Sequence, residues 1–481
     1  MQIWSDILGQ EDLSADRSFF EQGGTSLAVL NVLSQYFNRG CTMTMAEFYN
    51  APTAAAQARL LADGSLTENV LSQAGFLPAS ASTPAPDSIP VSGSTPGSAL
   101  NPASAPAPAD TVLPESFIFL SGATGYLGAH LLQYILIDQD KPLVCLLRDG
   151  SRKRLLQRLA DYFGAAWVDA NTARIVVLQG DITRPKFGLS PSVYETLAKG
   201  VSLIYHAAAD VRHFTTGSDS SATNLKGTEE MIDLALAADA PLMHISTTSV
   251  SGDYLKHAPD QPAIFCETDY DIGQNWEYNN YVRTKFLAEG AVLRAADKGL
   301  RAKIFRIGRL VGRASDGVFQ VNSESNALYG LIHGLAHLSA LPLSLADFQI
   351  DLTPVDVCAE AIVRLKDAKG SIFHLVHPQT LPLAQVMTSL LPECRLLDDH
   401  AFLRELSARA VSPEDRGILA PLIEMTARIG RDVALIDVSS ELTQEALSAA
   451  GHSWPANRPE VVLRAFASPP TVKKGGEPHG K

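Results

Sequence analysis

The sequence predicts an α/β protein built on a doubly wound parallel sheet, with a small helical domain before it and a smaller, mainly helical one after it. Two observations carry this. From Phe117 to about Val376, short apolar runs (IFLSG, LVCLLR, RIVVLQGD, SLIYHAAA, LMHIS, AKIFRIG, IFHLV) alternate with stretches of helical character. That alternation marks βαβ units whose sheet is covered on both faces. The first unit also reads FIFLSGATGYLG, with glycines at 122, 125 and 128, and continues as an apolar helical stretch from Ala129 to Ile137. Strand, glycine turn and helix in that order suit a dinucleotide pyrophosphate, because small residues admit it to the backbone and the helix N-terminus offers free N–H groups. The spacing is Gly-x-x-Gly-x-x-Gly rather than Gly-x-Gly-x-x-Gly. By itself it does not separate a cofactor site from an ordinary tight turn.

Composition narrows the partners. The 481 residues suffice for about three domains. A net charge of −13 argues against a nucleic-acid surface. Cys41, Cys145, Cys266, Cys358 and Cys394 are scattered, odd in number and without metal-ligand spacing. They read as free thiols of a reducing cytosol, with no metal site. No signal segment and no apolar run of the roughly 18 residues a membrane span needs is present. A cytoplasmic protein with no membrane partner is expected.

Along the chain, residues 1 to about 65 have a helical pattern in which Leu27, Val29, Leu30, Val32 and Leu33 follow the polar turn Glu21-Gln22-Gly23-Gly24-Thr25-Ser26. Ser26 stands where a helix N-cap belongs. Between Pro78 and Pro114, 37 residues hold 9 of the 28 prolines and only Asp87 and Asp110 as charges. Such a stretch cannot bury enough apolar surface to order itself and reads as a linker spanning about 30–37 Å. From Leu381 to about Ser468 helical stretches dominate, among them 402–410 and 419–429, and are read as a cap over the carboxyl edge of the sheet. The expected division is 1–66, a linker at 67–115, the sheet domain at 116–376, the helical domain at 377–468 and a disordered tail at 469–481.

Several side chains invite chemistry. Arg148 ends a strand 20 residues past Gly128, where an acid would favour NAD and a cation favours a 2′-phosphate. Asp149 follows it directly, and Arg154 is a second cation; the alternative is that these charges only solvate a helix start. Asp181 ends the next strand, suited either to an adenine amino group or to a turn. Tyr281 and Lys285, four apart in NNYVRTKFLAEG, share one helix face. A tyrosine is a poor acid near neutrality, and a neighbouring ammonium brings its proton within reach. Upstream, HISTTSV (244–250) ends a strand with hydroxyls able to bind a carbonyl oxygen or simply to cap a turn.

Two family resemblances organise these residues. ADRSFFEQGGTSLAVL with AEFYNAPTAAAQARLLADG resembles the peptidyl carrier domain of nonribosomal peptide synthetases, whose serine in Gly-Gly-x-Ser-Leu receives 4′-phosphopantetheine. The resemblance implies Ser26 as the attachment point and a phosphopantetheinyl transferase as a partner. Gln22 stands where that family usually has Leu, a change expected to touch packing. Seven acidic and three basic side chains over residues 1–65 give this part a net charge of −4, suited to docking on basic partner surfaces. With only Gln2 between Met1 and Ile3-Trp4, the chain is expected to be the C-terminal fragment of a larger synthetase with upstream modules.

The second resemblance runs from about Phe117 to Pro455. GATGYLG, CLLR, GDITRPKFGLS, YHAAADV, NLKGT, ISTTSVSG, YVRTK, FRIGRLVGRASDGVFQ, DLTPVDVC and GHSWP are similar to the thioester reductase domain that ends some of these synthetases, an extended short-chain dehydrogenase/reductase of Rossmann type. It implies NADPH as cofactor and a carrier-tethered acyl or peptidyl thioester as substrate, released as an aldehyde or, with a second hydride, an alcohol. Thr247 would bond the substrate carbonyl, Tyr281 would donate to its oxygen, and Lys285 would hold the nicotinamide ribose and tune Tyr281. Thr247 is preferred to Ser246 because it lies three before Val250. Cofactor contacts are expected from Gly122, Thr124, Gly125, Tyr126, Leu127 and Gly128, from Arg148, Arg154, Asp181 and Ile182, and from Ala207, Ala208 and Ile307, besides Tyr281 and Lys285. Thr284 replaces the usual Ser before Lys, and Asn280 a usual Gly before Tyr. Competing readings are a redox-independent Dieckmann-type cyclising domain, which typically lacks the tyrosine, a non-catalytic scaffold, and an ordinary extended-chain dehydrogenase, which would not need Ser26.

Overall fold

The computed structural model describes residues 1–10, 12–24, individual positions between 28 and 50, 51–62, 112–211, 222–252, 254–255, 264–276, 280–323, 326–410, single positions and short runs from 412 to 434, and 436–466. Ser26, most of the expected linker and the whole expected tail lie outside the described residues.

Seven strands form one parallel sheet: β1 (Phe117–Ser121), β2 (Leu143–Leu147), β3 (Ile175–Gln179), β4 (Val201–His206), β5 (Leu242–Thr247), β6 (Ala302–Ile307) and β7 (Ile372–Leu375). Their order is β3-β2-β1-β4-β5-β6-β7. After β3 the chain crosses back to the far side of β1, so the switch point lies between the carboxyl ends of β1 and β4. Register places Ser121 opposite His206, His206 opposite His244, and Thr247 opposite Ile307.

The apolar runs become central strands because helices cover both faces. Ile118 and Leu120 of β1 join a core with the helices Tyr126–Asp138, Arg152–Phe163 and Val355–Arg364. Phe117 and Phe119 point the other way, into a core with Pro191–Gly200, Gly227–Ala238 and Asn280–Ala296. Each fully buried Leu, Ile or Phe contributes about 1.5–3 kcal/mol, and in β1 and β2 every residue is buried.

The smaller lobe is discontinuous in sequence. Its core takes Leu331, Ile332 and Leu335 from the helix Ala327–Leu338, ahead of β7, together with Val386, Phe402, Leu406 and Leu422 from after it. The helix Ala327–Leu338 is apolar around most of its circumference, which forces it to find a second partner surface. Small strands sew the two parts together: Ala340–Pro342 pairs with Arg395–Leu397, and Gln349–Asp351 with Thr380–Pro382. The helix Glu441–Ala449 does the opposite, burying Leu447 in the sheet's own core.

In the N-terminal domain, Trp4, Phe19 and Phe48 form an aromatic cluster, with ring centroids 4.7 Å apart for Trp4–Phe19 and 5.2 Å for Phe19–Phe48. A Cβ on Gly24 would lie 2.2 Å from the Phe19 ring, so this position requires glycine. Gln22 is buried, and its amide brackets the preceding loop: Oε1 accepts from Ser14 N–H at 2.6 Å, and Nε2 donates to the carbonyls of Ser14 and Arg17, both at 3.0 Å. A polar side chain takes the place of apolar packing there at no cost in unsatisfied groups.

Candidate active site

Parallel strands put every strand's carboxyl end on one edge of the sheet, and the predicted site residues collect there. At β1, Gly122 has φ +81°, and a Cβ on it would lie 2.6 Å from the Ala207–Ala208 peptide. A Cβ on Gly128 would lie 2.0 Å from the Gly122 carbonyl oxygen. Gly125 has φ −73°, and the nearest contact of a Cβ on it would be 3.2 Å. The glycines thus let the helix Tyr126–Asp138 start directly against the turn. Its N-cap is Gly125, with no side-chain cap and no acid in its first turn, whereas Ser151 and Ser190 cap the helices that follow them. The N–H groups at the start of the Tyr126 helix are therefore left for an anion, and the cradle fits a dinucleotide pyrophosphate. Thr124 and Leu127 are half-buried beside it. Tyr126 offers only its main chain, because its hydroxyl turns into the core, 2.9 and 3.0 Å from the carbonyls of Val311 and Val318. Behind the turn, Ala207 N–H donates to Ser121 O at 3.2 Å and Ala208 N–H to the Ser121 hydroxyl at 3.3 Å.

At the far end of this edge, Arg148 is 69 % exposed and approaches Asp181 at 3.5 Å. Burial pushes the Asp181 carboxyl up, but the Thr183 N–H and hydroxyl and the charges of Arg148 and Arg184 outweigh it and hold the group below its ordinary range. Asp149 is already engaged: it pairs with Arg154 at 2.8 Å and accepts from Ser151 N–H. Ile182 is buried and in reach of Gly227.

The helix Asn280–Ala296 presents Tyr281 and Lys285 on one face, both buried. The Lys285 ammonium donates to the Ile245 carbonyl of β5 at 2.5 Å. Burial lowers it to about 8, against the opposing pull of Glu289. Thr247 ends β5 beside Ile307 of β6, and its hydroxyl accepts from Ser249 N–H at 3.2 Å. Ser246, the alternative to Thr247, points to the opposite face of the strand and gives its hydroxyl to Glu289. His206 is buried between Ser121 (2.8 Å) and Thr228 (3.1 Å), and burial and the Lys285 charge lower it to about 3.

Sequence reasoning assigned no role to Asn224, in NLKGT. It is buried, accepts from Asp210 N–H at 2.7 Å, and donates to the Thr284 hydroxyl at 2.9 Å. It ties the strand-end segment after β4 to the helix of Tyr281, and Thr284, the departure from the family's serine, is its acceptor. A surface hollow of about 450 Å³ beside the helix Arg152–Phe163 takes in none of the predicted site residues. Among the described residues there is no group of three or more metal-ligating side chains, and no helix is long and apolar enough to cross a membrane.

The chain is similar to known proteins in both of its parts. The NAD-binding family described as male sterility protein matches residues 120–362, and the phosphopantetheine attachment site family matches 1–61. The nonribosomal peptide synthetase asaC of Aspergillus flavus is 29 % identical over 390 residues, covering 79 % of this chain. The chain spans 36 % of that relative's length. A thiolation-reductase di-domain from an archaeal nonribosomal peptide synthetase is 25 % identical with a TM-score of 0.66, over 97 % of this chain and 95 % of its own. The terminal R domain of the myxalamid pathway is 28 % identical with a TM-score of 0.64, over 72 % of this chain and 88 % of its own.

Proposed function

Since the chain belongs to the male sterility protein family of NAD-binding proteins and carries a phosphopantetheine attachment domain ahead of that region, we propose that it releases an acyl or peptidyl group from its own carrier by NADPH-dependent reduction. The substrate is a thioester on the phosphopantetheine arm of Ser26, installed by a phosphopantetheinyl transferase and charged by upstream synthetase modules. One observation carries this reading: Tyr281, Lys285 and Thr247 gather on the sheet edge that also bears the glycine cradle, in a chain with its own attachment domain.

In this reading Gly122, Thr124, Gly125 and Gly128, with the main chain of Tyr126 and Leu127, hold the pyrophosphate. Asp181 and Ile182 flank the adenine, Arg148 and Arg154 take the 2′-phosphate, and Ala207, Ala208 and Ile307 line the path to the nicotinamide. NADPH held by these residues would supply a hydride to the thioester carbonyl carbon. The Tyr281 hydroxyl donates a proton to the carbonyl oxygen, while the Thr247 hydroxyl offers it a second hydrogen bond as negative charge develops. Lys285, positive below about pH 8, favours the phenolate that Tyr281 leaves behind. Collapse of the hemithioacetal frees an aldehyde and returns the carrier thiol. Residues 1–66 serve as carrier, 67–115 as tether, 116–376 as reductase core apart from the helix Ala327–Leu338, and 377–468 together with that helix, but without Glu441–Ala449, as substrate domain, ahead of the tail 469–481. The tether makes delivery intramolecular, so local concentration rather than affinity fills the site.

The test is NADPH oxidation by the full chain with Ser26 loaded with a simple acyl phosphopantetheine, products being identified by mass spectrometry. Aldehyde or alcohol that requires both Ser26 and Tyr281 supports the proposal. A cyclised or hydrolysed product formed without NADPH consumption refutes it.

A further inference from the structure

Behind the proposed catalytic residues lies a charged cluster that the reduction itself does not use. Glu289 follows Lys285 by four residues in the helix Asn280–Ala296 and is fully buried, as is Arg306 of β6. Arg306 Nε and Nη2 lie 3.1 and 2.8 Å from Glu289 Oε2. The other carboxylate oxygen, Oε1, accepts the Ser246 hydroxyl. Arg306 also donates to the Asp269 carbonyl at 2.8 Å, meets His374 Nε2 at 3.0 Å and lies 4.5 Å over the Phe265 ring. Every group in the cluster is satisfied. A buried ion pair adds little to stability once desolvation is counted, but this one fixes Glu289 between β6 and β5, since the same carboxylate takes Arg306 of β6 and the hydroxyl of Ser246, next to Thr247 in β5.

We propose that Glu289 is a positioning residue for the reduction: clamped by Arg306, it holds Ser246, and so the strand end bearing Thr247, against the helix bearing Tyr281 and Lys285. Neighbouring residues of a strand face opposite ways, so anchoring Ser246 to this helix also fixes Thr247 on the other face of the strand end. Lys285 is faced by Tyr281 and Glu289 on its own helix, by His206 of β4 and His244 of β5, and by Arg306 of β6 through Glu289. Burial keeps both histidines neutral near pH 7. Glu289 is therefore the negative charge that supports the ammonium, and its loss moves Lys285 further down.

The inference rests on the reductive reading, and the experiment separates the two. Wild type, Glu289→Gln, Glu289→Asp and Ser246→Ala are compared as full chains loaded at Ser26, with the NADPH dissociation constant and thermal midpoint measured alongside turnover. Glu289→Gln and Ser246→Ala are expected to lower kcat by about tenfold or more, with NADPH affinity held within about twofold. Glu289→Asp recovers part of the loss. The alkaline limb of the pH–rate profile moves about one unit toward acid in Glu289→Gln and stays in place in Ser246→Ala. Ser246→Ala keeps the ion pair, so it still reports if Glu289→Gln folds poorly. Unchanged kcat in Ser246→Ala, or losses of turnover that only track losses of NADPH affinity and thermal midpoint, overturn the positioning role while leaving the reductive reading intact. A wild-type chain that consumes no NADPH overturns both.

Discussion

Gly128→Ala offers the sharpest test of the cofactor cradle. Position 128 lies inside the first turn of a helix, where alanine is favoured over glycine by up to about 1 kcal/mol on propensity. The structure opposes this, since the added Cβ would sit 2.0 Å from the Gly122 carbonyl oxygen, a backbone atom that cannot rotate away. That same oxygen accepts the Gly125 N–H at 2.9 Å. Moving it strains the turn, at about 1–3 kcal/mol for overpacking, and weakens a hydrogen bond worth about 0.5–1.5 kcal/mol. Sterics win, and a net loss of about 1–3 kcal/mol is expected. Because the displaced turn is the cradle, NADPH affinity falls with it by about tenfold or more, at 1.4 kcal/mol per factor of ten. Gly125→Ala is the control: its φ is allowed for any residue and its closest contact is 3.2 Å, so its cost stays under about 1 kcal/mol, the price of a poorer N-cap. Urea unfolding and NADPH fluorescence titration of both variants decide the matter. If Gly128→Ala matches wild type, or if Gly125→Ala lowers the urea midpoint more, the cradle is misread.

Tyr281→Phe is expected to cost about 10²–10⁴-fold in turnover while sparing NADPH affinity; loss of both together in the titration would make the tyrosine structural. Arg148→Ala should weaken NADPH by about tenfold and NADH little, since a charge-assisted bond to the 2′-phosphate is worth about 1.5–3 kcal/mol, and equal effects on the two cofactors in competition binding would remove that assignment. Lys285, lowered to about 8 from 10.5, makes turnover fall as pH rises through 8, a limb that Lys285→Met should lack. Its effect on stability has the opposite sign. Between about 8 and 10.5 the unfolded chain holds the proton and the folded one does not, so stability from this group rises across that window, readable from urea midpoints of wild type against Lys285→Met.

The seven strands of the sheet were legible because each is a short, nearly continuous apolar run, the signature of a strand covered on both faces. The glycine turn and the Tyr281–Lys285 spacing were legible because they are local. The Glu289–Arg306 pair was not, because a glutamate in FLAEG reads as a solvated helix charge until its partner from β6 is known. One signal was available: Arg306 is a charge inside the otherwise apolar IFRI, and Glu289 repeats the four-residue step beyond Lys285. Asn224 was invisible for a similar reason, its partners Asp210 and Thr284 being 14 and 60 residues away. The discontinuous lobe escaped because the apolar run of the helix Ala327–Leu338 does not tell from which side of β7 its neighbours come.

That discontinuity limits how the molecule can be cut. A chain ending at 376 would keep the helix Ala327–Leu338 while discarding Phe402, Leu406 and Leu422, the side chains that share its core, and would present a bare apolar ridge to solvent and to other copies. The same holds during synthesis: this helix leaves the ribosome before its partners exist and must wait for them. Exchanging substrate lobes between relatives therefore calls for two paired crossovers, one on each side of β7, rather than a single junction.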